Sequence, residues 1–226
     1  MKQVALNVDV GEGFPFDDDL CPLADWGNVC CGAHAGSAPL AAETARKWLG
    51  QGRRVGAHPG YPHRESMGRL TWAATGLGES ETLASLLSQT ELLLGHGAEY
   101  LKPHGAFYND STREGGPAEM LAEVVKTFMV PVVGLSGSLH EELAAHAGVE
   151  FLSEGFADRR YRSDGTLAPR SEPGSVIEDP VQVESQTIWL HSRVDTVCVH
   201  GDHSSCLAVA KVVRGCLDTL DASRAP

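Results

Sequence analysis

Seven short apolar segments alternate with stretches of helical periodicity along this chain, and polar residues stand at or soon after the end of each. The segments are residues 4–10, 27–31, 54–57, 100–103, 131–135, 149–153 and 196–199. Between them, Leu83, Leu86, Leu87, Thr90 and Leu94 follow the spacing of one helix face, as do Leu121, Val124, Val125 and Phe128. The last such stripe carries Leu207, Ala210, Val213, Leu217 and Leu220. Strands alternating with helices predict a parallel sheet, either doubly wound or closed into a barrel. A dinucleotide fold needs a third glycine after the first strand, but Gly11-Glu12-Gly13 runs into Phe14-Pro15-Phe16. The segment Gly134-Leu135-Ser136-Gly137-Ser138 lacks the lysine of a phosphate loop. The expected fold is therefore an α/β chain, a (β/α)-barrel of about seven parallel strands. One domain over residues 1–226 is expected, with a tail frayed from about residue 221.

The polar residues fall at one end of that scheme. Asp9 and Glu12 close the first segment. Glycine-flanked histidines follow the second, third and fourth: Gly-Ala-His34-Ala-Gly, Gly-Ala-His58-Pro-Gly and Lys-Pro-His104-Gly-Ala. Ser136 and Ser138 follow the fifth, Asp158 and Arg159 the sixth, and His200 and Asp202 the seventh. In parallel barrels the C-terminal strand ends gather the catalytic groups. Imidazoles there can transfer protons near neutral pH. The candidate catalytic set is Asp9, Glu12, His34, His58, His104, Asp158, His200 and Asp202. Carboxylates with histidines can instead bind a divalent metal and activate water, or run metal-free amide hydrolysis; the metal candidates are Asp9, His58 and His104. Asp202 can equally be the N-cap of the last helix. Asp17-Asp18-Asp19 reads as a solvated loop, and His63, His96, His140, His146, His191 and His203 receive no role. Two long loops, residues 59–78 and 157–179, are expected to be functional or mobile.

Composition narrows the function classes. The net charge of −12, with no basic patch, argues against a nucleic-acid partner. Without an apolar run of spanning length or an export signal, the expectation is a cytoplasmic protein with no membrane association. Six cysteines occur without a Cys-x-x-Cys pair and read as reduced thiols rather than a zinc knuckle.

Asn7-Val-Asp9-Val-Gly11-Glu12-Gly13-Phe14 resembles the opening of the LamB/YcsF family, the A subunits of bacterial ATP-dependent 5-oxoprolinase. Cys31-Gly-Ala-His34-Ala-Gly36, Gly56-Ala-His58-Pro-Gly-Tyr-Pro62 and Lys102-Pro-His104-Gly-Ala-Phe-Tyr-Asn109 resemble its central motifs. Phe156-Ala-Asp158-Arg159-Arg-Tyr161, Asp164-Gly-Thr-Leu-Ala-Pro-Arg170 and Cys198-Val-His200-Gly-Asp202 resemble its later ones. The matches run in order from about residue 4 to residue 217. The resemblance implies a barrel related to polysaccharide and carbohydrate deacetylases. It implies hydrolysis of the cyclic amide 5-oxo-L-proline to L-glutamate, with ATP used through partner subunits B and C. Asp9, Glu12, His58 and His104 would then activate water or polarise the carbonyl. Arg69, Lys102, Arg159 and Arg170, with Asn109 and Tyr161 in the motifs, would bind substrate. The chain departs from the family at Ala5, Ala33, Ser37 and His63, and has Leu70 where a second arginine is usual. Another lactam or amide, and the N-acetyl group of a sugar, are the alternative substrates; a non-catalytic subunit is the third reading.

Overall fold

The computed structural model describes residues 3–163, 165–170 and 172–223. Asp164 of the long-loop motif lies outside them. Seven strands among the described residues form a closed parallel barrel in sequential order: β1 (Ala5–Val10), β2 (Trp26–Cys30), β3 (Arg54–His58), β4 (Tyr100–Leu101), β5 (Val132–Leu135), β6 (Phe151–Phe156) and β7 (Thr196–His200). Ladder pairing of Asp9 with both Asn28 and His200 closes the ring through β1. Helices α2 (Ala38–Gly50), α4 (Glu79–Gly95), α6 (Gly116–Phe128), α7 (Leu139–Ala147), α8 (Pro180–His191) and α9 (Cys206–Ala222) form the return connections. Short helices α1 (Asp17–Leu20), α3 (Trp72–Thr75) and α5 (Gly105–Asp110) sit after β1, β3 and β4.

Each strand found here coincides with a predicted segment, with shifted ends. β4 is shorter than predicted, because Pro103 cannot donate to a ladder and Pro131 precedes its partner strand. β6 runs on to Phe156, three residues past the predicted end. Asp17–Asp19 is not a loop: these residues open α1, and Asp17 Oδ2 accepts from Gly11 N at 2.8 Å, which braces the turn after β1. The last helix continues to Ala222, and Asp221 pairs with His191 at 2.9 Å.

Side chains alternate along each strand. In β1, Leu6, Val8 and Val10 enter the large apolar cluster shared with the helices. Close strand–helix contact needs small residues: a Cβ on Gly27 would lie 2.5 Å from the Trp48 ring of α2. The inward residues of β1 are Asn7 and Asp9, and they meet a polar barrel interior. Asn28 Nδ2 donates to Asn7 Oδ1 at 2.6 Å and to Asp9 Oδ1 at 2.7 Å; Tyr100 OH donates to Asn28 Oδ1 at 2.7 Å. Below, Trp26, Tyr100, Val133 and Leu152 form an apolar plug. The interior is thus apolar at the N-terminal strand ends and charged toward the C-terminal ends.

Candidate active site at the C-terminal strand ends

The charged layer centres on Lys102. Its ammonium donates to Asp9 Oδ1 at 2.8 Å and to Cys198 Sγ at 3.1 Å, and stands 2.8 Å from Glu154 Oε1. All four residues are buried. Burial opposes the charge on Lys102, but the flanking carboxylates outweigh it and hold its pKa well above the usual value. Burial likewise opposes ionisation of Asp9; Lys102, His58 and His200 reverse that and keep it well below the carboxylate range. Glu154 is pushed up, because burial there exceeds the relief Lys102 offers. Cys198 is also pushed up by burial and remains a thiol.

Above this layer stand the histidines. His58 Nδ1 lies 2.9 Å from the Lys102 carbonyl, and His104 Nε2 lies 2.9 Å from the Met67 carbonyl. Carbonyls only accept, so both of these nitrogens carry hydrogen. The remaining ring nitrogens, His58 Nε2 and His104 Nδ1, face each other at 3.0 Å. Burial, with His34 and His58 beside it, pushes His104 well below the usual imidazole pKa. His34 stacks on His104 at 3.8 Å between ring centroids. Glu12 Oε1 completes the group, 3.5 Å from His104 Nδ1 and 3.7 Å from His34 Nε2. The cradle around these rings is tight. Gly68, at φ +65°, has room for no side chain: a Cβ there would lie 3.1 Å from His104 Cδ2 and from His34 Cβ. Met67 beside it also sits in the left-handed region, at φ +51°.

On the β7 side, Asp158 accepts from His200 N at 2.8 Å and from His200 Nδ1 at 3.0 Å. This turns His200 Nε2 toward Asp9 Oδ2, 3.8 Å away. Burial works against the Asp158 charge, yet the hydrogen bonds and proximity of His200 and His203 hold its pKa far down. His203, given no role from sequence, therefore sits beside the site, 3.6 Å from Asp158. Asp202 is not a helix cap; Ser205 occupies that position in α9. Instead Asp202 is bridged by Arg69 and by Arg170, the latter at 2.7 Å, which joins the two long loops across the barrel mouth. Arg159 Nη2 donates to Ala168 O at 2.6 Å, and burial, with Arg170 nearby, lowers its pKa to about 10.

A cavity of about 960 Å³ opens above these groups. Asp9, Glu12, His58, Lys102, His104, His200, Asp202, Arg69, Asn109, Arg159 and Arg170 of the predicted set line it. His34 and Asp158 lie behind the lining, against His104 and His200. Tyr161 lies off it: its hydroxyl accepts from Phe156 N at 2.8 Å and its ring meets Trp189. Ser138 is spent on capping α7, donating to Leu135 O at 2.6 Å. Glu154 below the cavity and Arg113 at its rim carry no signal in the sequence, while Trp72 and Arg162 come to the rim from the two long loops. Two of the family departures are absorbed locally. Ser37 caps α2, accepting from Leu40 N, and His63 Nδ1 pairs with Ser66 Oγ at 2.9 Å.

Comparison with known proteins settles the family. The LamB/YcsF family matches residues 4–226. The chain belongs to the LamB/YcsF family. It is 36% identical to the A subunit of 5-oxoprolinase from Haemophilus influenzae strain PittEE, over 93% of this chain and 94% of the relative. It is also similar to the crystal structure of the lactam utilization protein from Thermus thermophilus, with a TM-score of 0.85 and 33% identity, covering 98% of each chain. A family 4 carbohydrate esterase from Streptomyces lividans shares the fold alone, at a TM-score of 0.52 and 10% identity over 97% of this chain and 89% of the esterase. The deacetylase likeness of this LamB/YcsF chain is therefore one of architecture.

Proposed function

We propose that this chain opens 5-oxo-L-proline to L-glutamate as the A component of an ATP-dependent assembly with B and C subunits. The near full-length match, at 36% identity, to the A subunit of a 5-oxoprolinase carries this reading. The site fits the chemistry required. A five-membered lactam is an unstrained, stabilised amide, so its carbonyl must be activated before water attacks. No phosphate loop is visible in the sequence, and ATP is accordingly handled by the partners. The pocket is larger than a small lactam needs, which leaves room for an activated substrate or for a partner segment.

Within the pocket, Asp9, Glu12, His58 and His104 activate the attacking water or polarise the lactam carbonyl. The lactam oxygen takes the terminal phosphoryl group of ATP, water oxygen bonds to the lactam carbon, the ring C–N bond breaks as the departing nitrogen takes a proton, and a second water releases phosphate from the acyl phosphate. Ionised Asp9, 3.6 Å from His58 Nε2, supports this group electrostatically. Lys102 holds Asp9 ionised and is not free to bind the substrate carboxylate. That task falls to the arginines at the rim, Arg69, Arg159 and Arg170, by charge-assisted bonds. Asp158 acts as a positioning residue that orients His200. The use of ATP favours a cytoplasmic assembly.

His104→Ala tests the assignment. The variant should lose at least about a hundredfold in turnover by the assembled enzyme, the usual contribution of a general base. Its circular dichroism and melting temperature should stay close to the parent. Full activity in this variant would remove His104 from the mechanism.

A further inference from the structure

The hydrogen bonds of His58 and His104 leave an unresolved electrostatic conflict. Each ring gives its N–H to a main-chain carbonyl, Lys102 O for His58 and Met67 O for His104. Each ring then turns its second nitrogen on the other, 3.0 Å apart, in a buried setting. Two such nitrogens repel unless a shared proton or another cation lies between them. Glu12 Oε1 borders the same point, 3.5 Å from His104 Nδ1. His34 is 1% exposed, has no hydrogen-bond partner on either ring nitrogen, and faces the same carboxylate.

We propose that Glu12, His58 and His104 form a binding site for one divalent transition-metal ion. The three donor atoms lie within 4.8 Å of one another. The 3.0 Å between the two nitrogens is within reach of two bonds of about 2.1 Å to a single ion. Imidazole and carboxylate together suit zinc, cobalt or manganese. The outer partners are those of a metal site: each ring is held in its ligating tautomer by a backbone carbonyl. Glycines at 60 and 68 keep side chains out of the space around His34 and His104.

A second group, Asp9, Cys198 and His200, has comparable spacing. It does not suit a cation. The Lys102 ammonium already occupies it, 2.8 Å from Asp9 Oδ1 and 3.1 Å from Cys198 Sγ, and would repel a second positive charge. Metal thus goes to the glutamate–histidine group, above the lysine. Bound there, the ion supplies a Lewis acid for a carbonyl or a water at the cavity floor.

Chelator-treated full-length protein titrated with Zn2+ alone, by calorimetry, and with Co2+ alone, by absorption, tests the site. The expected result is saturable binding of about one ion per chain. The Co2+ spectrum should lack an intense thiolate-to-metal band, because Cys198 is not a ligand. Glu12→Gln and His104→Ala should each weaken the ion by about tenfold or more. Cys198→Ser and His200→Ala should bind as the parent does. Glu12→Gln is near-isosteric, and a melting curve on each variant separates lost ligation from lost fold. Absence of saturable uptake by the parent chain overturns the proposal, and shows that a shared proton resolves the conflict instead. Uptake that survives Glu12→Gln and His104→Ala but fails in Cys198→Ser overturns it too. Ion uptake is read without turnover, so a chain that binds metal yet opens no 5-oxoproline when assembled with B-type and C-type subunits and ATP refutes the lactam reading and leaves this site standing.

Discussion

Lys102 sets the charge balance of the barrel interior. Replaced by methionine, it would leave Asp9 and Glu154 buried without their counter-ion, and removing one partner of a buried pair costs about 3–5 kcal/mol. Lys102→Met should lose stability on that scale in urea denaturation, and adding Glu154→Gln should restore part of it. A single variant as stable as the parent would contradict the role given to this lysine. Part of this layer is legible in the sequence and part is not. Asp9 and Lys102 sit where a strand meets a turn, so their place at the mouth can be read directly. Glu154 hides in an apolar run, and its inward direction depends on β6 continuing to Phe156. The pairing of Asp202 with Arg69 links residues 133 apart, and no local pattern encodes such a contact.

At the level of elements, the loop after β3 shapes the histidine cradle. Its 3₁₀ turn, Arg64–Ser66, leads into Met67 and Gly68, both at positive φ, and the Met67 carbonyl fixes His104. Gly68→Ala meets two obstacles at once, the left-handed backbone and 3.1 Å contacts with His34 and His104. The backbone cost alone is about 1 kcal/mol. The variant should therefore melt lower and lose most of its activity with the assembled partners; unchanged activity would show that the cradle does not hold His104 in place. The strands were readable because each couples an apolar run to a Gly, His or Pro breaker. The helix α8 is silent in the sequence, since Val181, Ile188 and Trp189 are exposed and blur its apolar face. The helix α4 shows the opposite case: Leu86 and Thr90 point inward as the spacing predicts, joined by Gln89, which binds Gly60 on both its N–H and C=O.

For the molecule as a whole, acid should be the weak side. His140, in the first turn of α7, is fully buried with Nε2 2.9 Å from Ser111 Oγ, and burial lowers its pKa to about 4. The unfolded chain takes up this proton near pH 6.5 and the folded chain only near 4, so stability present above about 6.5 is lost as pH falls. This one group accounts for about 2 kcal/mol between pH 7 and pH 5. Asp158 and Asp202, held low in the fold, add losses in the same direction at still lower pH. In His140→Gln, the stability difference between pH 7 and pH 5 should shrink by that amount; an identical pH profile would contradict it. The same buried polar layer that costs stability in acid is what equips the barrel mouth for amide chemistry. Whether that chemistry is lactam opening is decided most directly by reconstitution: purified chain, B-type and C-type subunits, ATP and 5-oxo-L-proline, with glutamate and ADP measured together. Glutamate should form only in the complete mixture, in step with ADP, and not when this chain is left out. Glutamate formed equally well without this chain, or none formed with every component present and folded, would contradict it.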